Sequence, residues 1–247
     1  MSSPNMTQNI YDDPVFFARY GQLDRSVEGL AGAEEWPALR ALLPDLRGLK
    51  IVDLGCGAGW FCRWAREQGA AQILGIDVSK KMLERAAANT ADSAITYTRA
   101  DLDRLDLPQA GFDFAYSSLA LHYIENLEPL FSTVHRALVP GTSFVFSIEH
   151  PIYMAPTRPG WILDADGRRT WPVDSYQIEG KRITNWLADG VVKYHRTIGT
   201  SLNLLIRQGF TIRHVEEWGP SDAQIAAKPA LAEERDRPMF LLIAARR

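Results

Sequence analysis

From about residue 50 onward the apolar positions fall into short compact runs separated by amphipathic stretches. Residues 50–54, 73–77, 95–100, 112–117 and 143–148 are apolar runs of strand length. Residues 58–68, a stretch reaching Ala88 with Ser79 as its N-cap, and residues 127–138, ending at Pro140-Gly141, carry helical spacing. Strands separated by helices at this interval predict right-handed βαβ units and a parallel sheet. Upstream, one helix is predicted after Tyr11-Asp12-Asp13-Pro14, with Asp12 or Asp13 as N-cap and Pro14 in the first turn. A second runs from about 32 to 43 and stops before Pro44, where the chain must leave helical geometry.

Residues 151–197 break the alternation and read as short antiparallel pieces with turns around Asp166-Gly167 and Glu179-Gly180. The pattern resumes with a helix over about 200–208, closed by Gly209, and strands at 211–217 and 239–244. With no convincing helix between them, those strands are expected to pair as a hairpin, which makes the last one antiparallel. The expected fold class is α/β, a single domain over 1–247 with an N-terminal helical cap (1–44) and a lid-like insertion (151–197).

Composition narrows the function. The chain has 247 residues, 46% hydrophobic and 23% charged, with a formal net charge of -3, so it lacks the positive footprint of a nucleic-acid binder. The start, Met1-Ser2-Ser3-Pro4-Asn5-Met6, has neither a basic nor an apolar leader region, and no apolar run approaches the roughly 20 residues of a membrane span. Cys56 and Cys62 are the only cysteines, too few and wrongly spaced for a disulfide framework or a cysteine zinc site. The expectation is a cytoplasmic protein, monomer or homodimer, with no metal, nucleic-acid or membrane partner.

The chemistry concentrates after the first strand, in Asp53-Leu54-Gly55-Cys56-Gly57-Ala58-Gly59, which opens directly into a helix. Glycines let the backbone turn sharply and approach a ligand closely, and a helix start offers unpaired N–H groups to an anionic group. A dinucleotide fingerprint requires a glycine three residues after Gly57, and Trp60 stands there instead, which weighs against a dehydrogenase. An acid two residues before the first glycine favours a ligand with an amino-acid end, Asp53 facing its ammonium and the helix N-terminus its carboxylate. Asp77, at the tip of the second strand, is placed to accept from ribose hydroxyls. After the third strand, Asp101 and Leu102 suit an adenine ring.

Together with Gly75-Ile76-Asp77-Val78-Ser79, Ala100-Asp101-Leu102 and 112–118, this order resembles the class I methyltransferases, particularly bacterial ones near the ubiquinone-biosynthesis type. The resemblance is strong over roughly 45–150 and extends in topology to 198–247. It implies a three-layer, Rossmann-like seven-stranded sheet of order 3-2-1-4-5-7-6 with strand 7 antiparallel. It also implies S-adenosyl-L-methionine as methyl donor and S-adenosyl-L-homocysteine as product. Asp77 and Val78 would then lie at the ribose, Asp101 and Leu102 at the adenine, and Ser118 and Leu119 near the methionine portion, with Tyr11, Tyr20 and Arg25 closing that end from the N-terminal helix. A non-catalytic S-adenosylmethionine-binding protein of the same fold is the alternative.

Methyl displacement needs alignment more than acid or base strength, and a base matters when the acceptor is a hydroxyl or a protonated amine. In an open α/β sheet the ligand crevice lies beyond the carboxyl ends of the strands. Loops there carry His122, Glu149, His150, Tyr153 and His195, leaving His135 on a helix and His214 on a strand. A histidine titrates near neutral pH, and His150 is the first candidate base, followed by His195, Glu149 and His122. Trp161, Trp171, Tyr176 and Trp186 are expected either to wall the small-molecule acceptor, an O, N or C nucleophile, or to form a satellite core. The connection 219–238 should reach the crevice edge, with Lys228 and Arg235 facing an acidic substrate or solvent.

Overall fold

The computed structural model describes residues 7–247. At its start, Asp13 caps α1 (Pro14–Tyr20), accepting hydrogen bonds from the Val15 and Phe16 amides with Pro14 in the first turn, as predicted. The helix expected over about 32–43 is shorter, α3 (Trp36–Ala41), and is preceded by α2 (Asp24–Val27) and a 3₁₀ turn over Gly29–Gly32. Gly29 has φ +64° and a Cβ on Gly32 would lie 2.3 Å from the Asp24 carbonyl oxygen, so this turn requires glycine at both positions.

The alternating core follows: β1 (Lys50–Leu54), α4 (Trp60–Glu67), β2 (Gln72–Asp77), α5 (Lys80–Ala88), β3 (Ile95–Arg99), β4 (Phe112–Ser118), α6 (Leu127–Ala137) and β5 (Leu138–Glu149). Ser79 caps α5 through the Met82 amide. Strand β5 starts earlier than predicted, because Leu138 pairs with Phe112 before a register shift; Pro140-Gly141 therefore sits in an irregular strand. Alternate strand residues feed two cores. Val52, Leu54, Phe144 and Phe146 pack beneath α6, while Ile51, Phe114, Tyr116 and Val145 pack beneath α3 and α4.

Beyond the sheet, α7 (Pro151–Met154) opens the insertion, which continues as two hairpins, β6 (Ile162–Leu163) with β7 (Arg169–Thr170), and β8 (Gly180–Thr184) with β9 (Val191–His195). The first turns at Asp166-Gly167 as predicted. The second turns between Thr184 and Val191, so Glu179-Gly180 begins a strand and makes no hairpin turn. Then come α8 (Ile198–Arg207), β10 (Thr211–Trp218), α9 (Asp222–Ala227), a 3₁₀ segment over Pro229–Arg235, and β11 (Phe240–Arg246). The expected non-helical connection is thus helical, started by a capping box between Ser221 and Gln224.

The sheet order is β10-β11-β5-β4-β1-β2-β3, with β11 antiparallel to both β5 and β10. That is the predicted order, counting sheet strands alone. Among the described residues no helix is long and apolar enough to cross a membrane.

Candidate active site

Two cavities open at the carboxyl ends of the parallel strands, one of about 470 Å³ and one of about 100 Å³, sharing Tyr20, Arg25, Gly55 and Ser118 in their walls. The loop after β1 explains where they can form. Gly55, Gly57 and Gly59 all have positive φ, between +52° and +77°, a backbone that L side chains resist. A Cβ on Gly55 would lie 2.2 Å from the Ala120 Cβ, and one on Gly59 2.2 Å from the Tyr97 hydroxyl, whereas Gly57 faces open space. Gly59 is the N-cap of α4, so the amides of its first turn point back to the loop.

Asp77 ties this loop to the tip of β2. Its Oδ2 accepts from the Gly57 amide at 2.9 Å and its Oδ1 from the Ser79 amide at 2.8 Å. Burial still pushes its pKa up, against those bonds. Asp77, Val78, Asp101, Leu102, Ser118 and Leu119 all line the larger cavity. Leu119 holds a φ of +53°, an unusual backbone for leucine, held by the hydrogen bond its amide donates to the Ser147 carbonyl at 3.0 Å. Asp101 is engaged by the N-terminal segment: Oδ1 and Oδ2 accept from the Thr7 hydroxyl and amide at 2.8 and 3.1 Å.

The smaller cavity gathers several buried polar groups. Asp53 lines it, almost fully buried, accepting from the Cys62 thiol at 3.2 Å; burial raises its carboxyl to about 7. Ser26 and Tyr116 line it too, and neither buried hydroxyl meets the geometry of a hydrogen bond to a protein group. Arg25 holds both oxygens of buried Glu35 at 2.9–3.0 Å. Unfilled buried hydroxyls beside an acid and a guanidinium fit a zwitterionic ligand end, which supplies the donors and acceptors they lack.

Of the three histidines expected at the crevice, only His122 lines it. His150 is fully buried elsewhere: its Nδ1 accepts from the Ile152 amide, capping α7, and its Nε2 pairs with Glu217 at 2.8 Å. His195 is equally buried, its Nε2 bonded to the Tyr176 carbonyl at 2.8 Å and its Nδ1 without a partner. The reason is strand alternation, because Glu149 and His150 leave β5 on opposite sides. Glu149 therefore enters the cavity wall while His150 turns away.

Around Glu149 stands a cluster whose key member, Lys193, sequence reasoning missed. Lys193 is 3% exposed and its Nζ binds Glu149 Oε1, while 4.8 Å from the Trp186 ring centroid. The Glu149 amide donates to His122 Nδ1 at 3.3 Å, so the His122 proton sits on Nε2, 4.0 Å from Glu149 Oε1. Burial lowers His122 to about 4, leaving it neutral at physiological pH. Burial works to raise Glu149, but the Lys193 ammonium outweighs it and holds the carboxyl below its ordinary range. The signal for Lys193 was present: Val191, Lys193 and His195 form the inward row of β9, and a lysine in such a row implies a buried ion pair.

The expected aromatic wall divides. Trp186 lines the cavity and, with Tyr11, Phe16 and Tyr20, joins the N-terminal segment to the β8–β9 hairpin. Trp161 and Trp171 instead pack with Tyr153 around Arg237, 4.5–5.2 Å from its guanidinium, and Tyr176 packs on His195. The 219–238 connection does reach the cavity. Lys228 is held by Asp24 and Glu34 at 2.8 and 2.9 Å, and Arg235 by Asp222. No group of three or more His, Cys, Asp or Glu among the described residues is arranged to hold a metal ion.

A seven-stranded sheet with an antiparallel last strand, a glycine loop after β1 and acids at the tips of β1 and β2 define a Rossmann-like methyltransferase. Residues 52–146 match the methyltransferase domain family. A crystal structure of an S-adenosylmethionine-dependent methyltransferase from Mesorhizobium loti is 69% identical, with 89% of this chain and 100% of that one covered and a TM-score of 0.86. An uncharacterised protein of Haemophilus influenzae is 35% identical over 97% of each chain. A malonyl-[acyl-carrier protein] O-methyltransferase of Enterobacter lignolyticus is 32% identical, the match spanning only 50% of this chain and 48% of that protein. The chain belongs to the class I S-adenosylmethionine-dependent methyltransferases. It is an enzyme that transfers a methyl group from S-adenosylmethionine.

Proposed function

We propose that the enzyme methylates a small molecule bound in the 470 Å³ cavity, with the donor lying across both cavities. The observation that carries this reading is the wall of the larger cavity, which joins Asp77, Val78, Asp101 and Leu102 to Glu149 and His122. S-adenosylmethionine, when bound, supplies a methyl group on a cationic sulfur. Asp77 would hold the ribose and Leu102 cover the adenine, with Asp101 released from Thr7 to take the adenine amino group. Asp53, Ser26, Tyr116 and Arg25 would hold the amino-acid end, and Gly57 and Gly59 keep the loop backbone open for it.

The chain's own contribution is position and exclusion of water. Trp186, Tyr11 and Tyr123 roof the acceptor end, and Glu149 accepts a hydrogen bond from an acceptor N–H or O–H. His122, neutral and fixed by the Glu149 amide, orients that carboxylate; His150 and His195 stand outside this role. Partial likeness to enzymes named for malonyl-[acyl-carrier protein] suits the shared donor.

Calorimetry with S-adenosylhomocysteine, followed by a metabolite panel with isotopically labelled donor, tests the proposal. Binding of the product with transfer to a low-mass acceptor supports it; absence of binding at millimolar ligand would overturn the site.

A further inference from the structure

We propose that the acceptor is an amine, bound as its cation by the carboxylate-faced, aromatic end of the larger cavity. This rests on the methyltransferase reading of that cavity and adds the chemical class of its second substrate.

Three ion pairs of the wall turn their acid to the cavity; Arg25–Glu35, where the two cavities meet, is the reverse. Glu149, Glu233 and Glu234 line the cavity, while the cations that neutralise them, Lys193, Arg169 and Arg237, stand outside the lining. The two cations that do line it are already bound among the described residues: Arg25 by Glu35, and Lys228 between Asp24 and Glu34. His122 is neutral there. A carboxylate or phosphate acceptor would therefore meet negative charge and no uncommitted cation, the arrangement that rejects an anion.

Glu234 adds an independent observation. Its side chain is 3% exposed, Oε1 takes the Arg237 guanidinium, and Oε2 is buried with no hydrogen-bond partner. Such an oxygen is costly unless a donor meets it. An amine N–H is a donor of the right kind, and it brings the positive charge that the wall selects. Burial also pushes Glu234 above its ordinary range, which suits it to take a proton from an ammonium.

The aromatic lining is consistent with this. Tyr11, Tyr123, Tyr153 and Trp186 line the same end, and the chain itself places cations against these rings: Lys193 5.8 Å from the Tyr123 centroid, and Arg237 4.8 Å from that of Tyr153. Ring faces attract an organic cation at such distances. In turnover the bound ammonium gives one proton to a wall carboxylate and thence to water. The freed nitrogen lone pair then forms the bond to the methyl carbon, while the carbon–sulfur electron pair stays with sulfur. The products are a methylated ammonium, S-adenosylhomocysteine and one proton.

The test uses the full chain saturated with S-adenosylhomocysteine, titrated with matched probes: 2-phenylethylamine and tryptamine against the alcohols and carboxylic acids of the same skeletons. We expect the amines to bind at least tenfold more tightly than their carboxylates. Glu234→Gln should weaken the amines about tenfold and leave S-adenosylhomocysteine affinity within twofold. Glu149→Gln is the second variant should the first fail to fold, as judged by its thermal melt. Carboxylates binding as well as amines, no probe amine binding at all, or an unchanged preference in a folded variant would each overturn the amine assignment. Failure of S-adenosylhomocysteine itself to bind would instead overturn the site it rests on.

Discussion

The amide of Gly57 donates to Asp77 Oδ2 at 2.9 Å, so the loop after β1 and the tip of β2 are fastened by the same carboxylate proposed to receive the ribose. One oxygen organises the loop while the other bonds Ser79, and ligand hydroxyls can share the remaining lone pairs of both. Asp77→Ala should therefore do two things at once. It removes ligand bonds and frees the loop, and each hydrogen bond to a charged group contributes about 1.5–3 kcal/mol. We expect S-adenosylhomocysteine affinity to fall at least tenfold by calorimetry, with Asp77→Asn intermediate. Unchanged affinity in both variants would detach Asp77 from the ribose.

Asp53 sets binding against stability. Burial raises its carboxyl to about 7 in the folded chain, well above its unfolded value near 4. The folded state thus holds an extra proton between those values, and the stability this gives is present below pH 4 and lost as pH rises through 7. Asp53→Asn should raise the melting temperature of the ligand-free protein at pH 8 more than at pH 5, while weakening S-adenosylhomocysteine. A variant less stable at pH 8 than the parent would contradict this.

Gly59 is required twice over, by a φ of +74° and by the Tyr97 hydroxyl 2.2 Å from where a Cβ would stand. Gly59→Ala should destabilise the fold by about 1–2 kcal/mol from backbone strain alone, with the clash added. Pairing it with Tyr97→Phe should recover part of the added loss in a denaturant titration. If the single and double variants melt together, the hydroxyl is not the obstacle.

His150 should behave as a structural residue. Its Nδ1 caps α7 and its Nε2 holds Glu217, so His150→Ala should cost about 1–2 kcal/mol in stability, the usual range for a lost cap. Turnover at a temperature well below the melt should survive; a selective loss of kcat with an unchanged melt would return His150 to the chemistry.

Three buried histidines also set an acid limit. Burial lowers His122 to about 4, and His150 and His195 are shifted the same way. Their contribution is complete above the unfolded value near 6.5 and is lost as pH falls toward the folded values. Each histidine lowers stability by up to about 1.4 kcal/mol per pH unit between pH 6.5 and its folded value, while Asp53 works the other way over that window, so the check compares Asp53→Asn with the same variant carrying His122→Gln. The melting temperature of the single variant should fall more steeply from pH 6.5 to 4, and parallel profiles would mean that His122 is not buried as a neutral ring.

The parallel sheet and the donor loop were legible because their signals are local: apolar runs bounded by glycines, and acids at strand tips. Features depending on which way a side chain leaves the backbone were not. His150 ranks first among the histidines near strand ends, yet strand alternation admits Glu149 to the cavity and sends His150 behind it. Trp161, Trp171, Tyr176 and Trp186 read as one aromatic group, but Trp161 and Trp171 surround an arginine some seventy residues away in sequence while Trp186 lines the cavity. Helix α9 escaped notice because none of its residues is buried, so it leaves no apolar stripe to read; its Ser221–Gln224 capping box was the sole trace.

The reversed direction of β11 reaches beyond topology. Because this strand runs against its neighbours, the connection 219–238 returns to the edge where the loops after β1, β2 and β4 converge. The proposed donor site thereby draws on Arg25, Ser26 and segments between residues 53 and 119, and the proposed acceptor site largely on 149–193 and 219–240. A lineage can thus reshape what it methylates by altering the later half of its chain, while inheriting the means of methylation intact.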